Sequence, residues 1–109
     1  MTPYDVLTAA RELLSKGWTQ GAYARSATGI VDCYSTEAIS FCLWGAVRRV
    51  AGDNHASRSA ALAAVAAQLP EPYLSGVNGK PQLVAWHDQG DRTQADILAL
   101  IDRAIASLP

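Results

Sequence analysis

Apolar residues recur three and four positions apart in four stretches of the chain, and each such stretch predicts a helix. In the first, Val6, Ala9, Ala10, Leu13 and Leu14 form a stripe. Thr2-Pro3-Tyr4-Asp5 ahead of it supplies a capping hydroxyl, a proline suited to the first helical position and a carboxylate three residues after the cap. Gly17 after Lys16 reads as a left-handed stop, with Trp18 placed for the hydrophobic contact that accompanies such a cap. The second stretch, Ile39, Cys42, Leu43, Ala46, Val47 and Val50, predicts a helix capped by Ser35 that begins near residue 36 and ends at Ala51 before Gly52. The third runs from Asn54 to Leu69 on Leu62, Val65 and Leu69, ahead of Pro70 and Pro72. The last is capped by Thr93, with Asp96 completing a T-x-x-D box and Ile97, Ile101, Ala104, Ile105 and Leu108 on one face.

Between the first two helices the period is lost. Thr28-Gly29 offers a turn between residues 21–25 and 30–32, which predicts a short hairpin. Residues 70–92 read as one irregular stretch, broken by Pro70, Pro72, Asn78-Gly79, Pro81 and Gly90 around Leu83-Val84-Ala85-Trp86. An irregular segment of that length in a small domain is a place to expect function. The expected fold is α+β, mainly α: four helices with a small β-hairpin after the first, in a single compact domain over residues 1–109.

Composition narrows the function classes. Nine Lys+Arg against ten Asp+Glu leave a net charge of −1, which excludes the strong basic field behind nonspecific nucleic-acid binding. The longest apolar stretch, residues 60–69, is mostly alanine and falls short of the roughly 20 residues a membrane span needs. Asp5 and Glu12 stand where a secretory signal would have a basic start and a continuous apolar run. A cytoplasmic chain with no membrane partner is expected. Cys33 and Cys42 are the only cysteines. One is placed before the second helix and the other two turns into it, so two reduced thiols are expected rather than a disulfide.

Three blocks stand out together: GWTQGAYAR at 17–25, AISFCLWGAVRR at 38–49 and AWHDQGDRTQADILALIDRAI at 85–105. This ordered set resembles a family of short, uncharacterised bacterial and bacteriophage proteins known only as a domain of unknown function. The pattern of that family is a G-W-x-Q-G block, a Cys-containing helix with C-x-x-G-A, and W-N-D followed by a Thr-capped helix. Gly17, Trp18, Gln20 and Gly21 match the first block, Cys42, Gly45 and Ala46 the second, and Trp86, Asp88 and Thr93 the third. His87 stands where the pattern has Asn, which argues against a histidine-dependent reaction, because a general base is seldom exchangeable with an amide. The resemblance implies no activity.

Candidate chemistry is sparse. Cys42, His87 and Asp88 are the residue types of a cysteine hydrolase or transferase: a nucleophilic thiol, a base and a carboxylate to orient it. Against this, Cys42 lies on a face expected to be buried, and adjacent His87 and Asp88 need not point toward each other. Cys33, Cys42, His55 and His87 lack the spacing of a metal site, and no cofactor motif is present. Gly45 in mid-helix reads as a close approach of another backbone. Arg48, Arg49 and Arg58 cluster around the handover from the second helix to the third, the basis for a nucleic-acid regulator as a third reading. Phe41 and Trp44 fall on the face of the second helix opposite its main stripe, where Trp beside Arg is the composition of an interface hot spot. The sequence therefore favours a noncatalytic interaction module, a homodimer or a phage- or plasmid-encoded binder of a cellular protein, docking through Phe41, Trp44, Arg48 and Arg49.

Overall fold

The computed structural model describes residues 1–70, 73 and 79–109. Among them are five helices and a three-stranded antiparallel sheet: α1 (Pro3–Lys16), β1 (Ala24–Arg25), β2 (Ile30–Val31), β3 (Ser40–Phe41), α2 (Leu43–Ala51), α3 (His55–Ala66), α4 (Gly79–His87) and α5 (Gln94–Ser107). The class is α+β, mainly α, as the periodicity predicts. None of these helices is long and apolar enough to cross a membrane.

The helix starts follow local chemistry. Thr2 caps α1 and Thr93 caps α5, and in each case the carboxylate three residues on, Asp5 or Asp96, returns a hydrogen bond to the cap. These backbone hydrogen bonds hold both carboxyls below the ordinary carboxylate range. Asn54 caps α3 by accepting from Ser57 N. Thr93→Ala is expected to lower stability by about 1 kcal/mol in a urea titration, the usual cost of a lost cap. A change under about 0.3 kcal/mol would show that packing alone holds the start of α5.

Three expectations need correction. The second helix begins at Leu43, not near residue 36, and its cap is Cys42 rather than Ser35. Residues before it form a turn and then β3: Ala38 N donates to Ser35 O, and Ile39 N donates to Arg25 O. Phe41 is 3% exposed while its neighbour Ser40 is half-buried, the alternation of adjacent residues in a strand. Gly17 is not a left-handed stop, since its φ of −170° is extended backbone. It is held by a close approach: Phe41 N donates to Gly17 O and Thr19 N to Phe41 O, and a Cβ on Gly17 would land on the Ile39 carbonyl. Finally, the stretch expected to be irregular contains a fifth helix, α4. Pro81 sits in its first turn, where the missing N–H has no intrahelical partner to lose. Of the breakers proposed there, Pro72 and Asn78 lie outside the described residues.

The sheet order is β2-β1-β3, with Ala24 opposite both Val31 and Phe41. The hairpin after α1 is thus present, and β3 extends it on the other side. α1 packs against α2, α3 and α5. One hydrophobic cluster joins Leu7 and Leu14 of α1, Leu43 and Val47 of α2, Val65 of α3, Leu83 of α4 and Leu100 and Ile101 of α5. Burial of each of these side chains contributes about 1.5–3 kcal/mol to folding.

Candidate functional site: a cleft where three sequence blocks meet

The chain segment after α1, the start of α2 and the end of α4 converge around His87. This imidazole is 3% exposed. Its Nε2 accepts from Trp18 Nε1 at 2.8 Å and from Leu43 N at 3.2 Å. Both are obligate donors, so Nε2 carries no proton, and the ring's proton sits on Nδ1 facing Asp88 Oδ1 at 2.7 Å. Burial pushes the His87 pKa below its ordinary value, and the nearby Arg92 charge adds to this. The hydrogen bond and charge of Asp88 oppose the shift. The Trp18 indole also meets the imidazole edge-on, with ring centroids 5.6 Å apart.

The first block completes the junction. Gln20 Nε2 donates to His87 O at 2.9 Å and Gln89 O at 2.7 Å, satisfying carbonyls that the end of α4 leaves open. Gly21 has φ +76°, and its N–H approaches Asp88 Oδ1 at 3.4 Å. Arg92 Nε donates to Trp86 O at 2.9 Å, and its guanidinium lies 4.1 Å from the Trp86 ring centroid. From the second block, Cys42 Sγ accepts from Gly45 N at 3.2 Å as the cap of α2. Cys42 N donates to Tyr23 O. Gly45 packs so closely on this carbonyl that a Cβ would fall on its oxygen. The close backbone approach read from Gly45 in the sequence is therefore present, and its partner is Tyr23.

Beside this junction is a cleft of about 280 Å³, lined by residues 21–23 and 42–44 and by Leu83, Val84, His87 and Asp88. Cys42, His87 and Asp88 therefore do come together, and the adjacent His87 and Asp88 side chains do face each other. Their relation differs from that of a nucleophile and its base. The Nε2 lone pair that would take a thiol proton is shared by the Trp18 and Leu43 N–H groups. Cys42 is 8% exposed, and burial, reinforced by the Asp88 charge, pushes its thiol pKa up despite the Gly45 hydrogen bond.

The other candidate residues sit elsewhere. Phe41 is a core residue of β3, so the exposed Phe41–Trp44 helix face does not exist. Phe41 precedes the helix, and its side chain points inward with the pleat. Trp44 is half-buried at the cleft wall. Arg49 donates to Cys33 O at 2.9 Å and Ser35 O at 2.7 Å and lies over the Phe41 ring, tying the loop before β3 to α2. Arg48 lies 5.1 Å from the Tyr23 ring centroid, and Arg58 pairs with His55 at the start of α3. Cys33 and Cys42 are both unpaired, buried thiols. Among the described residues no three His, Cys, Asp or Glu side chains cluster as metal ligands do.

Trp18 and Gln20 are the members of the junction whose roles the sequence did not disclose. Trp18 read as a cap contact, and only the recurrence of Gln20 in the G-W-x-Q-G block marked it. A model of a family of unknown function, DUF6197, matches residues 1–107. The chain belongs to this family. No curated protein and no solved structure matches it. In this DUF6197 chain the matched span takes in every residue of the junction and the cleft.

Proposed function

We propose that the chain is a noncatalytic interaction module of the cytoplasm that receives a protein partner at the cleft, with Trp44 on its wall. One observation carries the reading: both donors that face His87 Nε2 belong to the fold, so the imidazole serves as a structural acceptor and leaves Cys42 without a base. The Asn that the resembled pattern places here supports the same role, because an amide oxygen, with two lone pairs, can accept the two N–H donors that here share the single lone pair of Nε2. Two buried, unpaired thiols fit a reducing compartment. With Phe41 in the core and Arg49 engaged on carbonyls, the docking surface moves from the outer face of α2 to the cleft at its start.

Thiol labelling tests the noncatalytic part. In native protein at neutral pH, Cys42 is expected to react with iodoacetamide only at the rate set by unfolding, and Cys42→Ser is expected to retain partner binding. Native labelling faster than that of a denatured control would overturn the reading. Crosslinking in cells, followed by sedimentation of the recovered complexes, tests the docking part. Trp44→Ala is expected to remove one discrete species while the purified variant keeps its fold.

A second reading, a cysteine-dependent hydrolase or transferase using Cys42, His87 and Asp88, is favoured by their shared position on one cleft. It requires His87 to exchange its Trp18 and Leu43 donors for the thiol. Fast native labelling that disappears in His87→Asn is the outcome that would establish it.

A further inference from the structure

The cleft carries a chemical preference that depends on its reading as a docking site. Its walls include Ala22, Leu43, Leu83 and Val84, which suit a methylene stem. Among the described lining residues the formal charge is the Asp88 carboxylate, with a side chain 32% exposed. Asp88 is fixed in place through one oxygen: Oδ1 meets His87 Nδ1 and Gly21 N. Oδ2 has no hydrogen-bond donor among the described residues. Arginines near the cleft are engaged with the fold: Arg25 on Thr19 Oγ1 and Gln20 O, Arg48 on the Tyr23 ring and Arg92 on Trp86.

The geometry points to a lysine side chain of the partner protein as the group this cleft takes, its stem along the apolar walls and its ammonium on Asp88 Oδ2. Size and donor geometry both favour this choice. A cleft of about 280 Å³ lies at the lower edge of the range for small-molecule pockets, the scale of a side chain. Arginine gains most from a carboxylate that offers both oxygens to its fork, and here Oδ1 is already occupied. Lysine needs only one acceptor for a compact charge.

The test is amide NMR of the full chain titrated with Nα-acetyl-lysine methylamide and its norleucine and arginine counterparts. The lysine probe is expected to shift Gly21, Ala22, Tyr23 and Asp88 saturably. Norleucine, which keeps the stem and lacks the charge, is expected to bind about tenfold more weakly, the scale of one charge-assisted hydrogen bond. Arginine is expected to bind more weakly than lysine. Asp88→Asn keeps an Oδ1 acceptor for His87 and is expected to reduce lysine binding to the norleucine level. Equal binding of lysine and norleucine, equal binding of lysine and arginine, or undiminished lysine binding by Asp88→Asn would each overturn the lysine assignment while leaving the cleft as a docking site. No shift with any probe would overturn both. The norleucine comparison uses unaltered protein, so the test stands even if Asp88→Asn disturbs the fold.

Discussion

Gly45→Ala is expected to destabilise the protein by about 3 kcal/mol or more, even though alanine is the better helix former by about 1 kcal/mol. The sign is set by the Tyr23 carbonyl. A Cβ at position 45 would fall on its oxygen, and this oxygen already accepts from Cys42 N. Backbone on both sides leaves no flexible side chain to give way, so accommodation requires breaking the Cys42–Tyr23 hydrogen bond and pushing β1 away from α2. The same substitution at Gly52 gives the contrast. Nothing lies within 4 Å of a Cβ there, and the cost comes from its φ of +55° alone. Urea midpoints of the two variants decide the matter. A Gly45→Ala protein as stable as the parent would mean that the contact between residues 23 and 45 is loose.

His87→Ala is expected to cost about 3–5 kcal/mol, because it leaves the Trp18 indole N–H and the Leu43 amide without an acceptor and opens a cavity. His87→Asn is expected to recover part of that loss by supplying an amide oxygen. The two variants also separate in their response to acid. Burial keeps folded His87 neutral at a pH where the unfolded chain's histidine, with a pKa of about 6.5, takes up a proton. The stabilisation is therefore complete above about pH 6.5 and is lost as the pH falls from there toward the depressed folded value. Its slope approaches about 1.4 kcal/mol per pH unit. The capping carboxylates Asp5 and Asp96 lose their contribution only below about pH 4, where unfolded carboxylates protonate, so the two effects occupy different windows. Unfolding curves between pH 7 and 5 are expected to show this fall in the parent and a flatter profile in His87→Asn. Identical slopes would mean that the His87 Nε2 is open to protonation in the folded protein.

The parts of the fold legible in the sequence are those decided by near neighbours. Thr2 with Asp5 and Thr93 with Asp96 state their capping boxes within four residues, and α1, α3 and α5 follow. The start of α2 is not legible in the sequence because Ile39 and Cys42 fit a helical stripe as well as they fit a strand running into a cap. The placement of Phe41 on the inner face, next to half-buried Ser40, becomes meaningful only once β1 is there to pair with them. α4 was hidden by Pro81, a breaker in most positions and harmless in a first turn. At the cleft, residue types alone brought Cys42, His87 and Asp88 under suspicion, and the structure does place them together. What they do there depends on Trp18 and Leu43, far away in sequence, which use the imidazole as an acceptor. No local pattern encodes that choice of partner.

The last-turn carbonyls of α1 depend on the far end of the chain. Gln94 Nε2, at the first residue of α5, donates to Leu14 O at 2.7 Å, while Arg11 pairs with Asp102. During synthesis, then, α1 can pack against α2 and α3 while the side of it that α5 covers and its Leu14 carbonyl still face water. It cannot complete its structure until the final helix has left the ribosome. The contacts between α1 and α5 span most of the sequence, and closing such non-local contacts slows folding relative to a bundle held only by neighbouring helices.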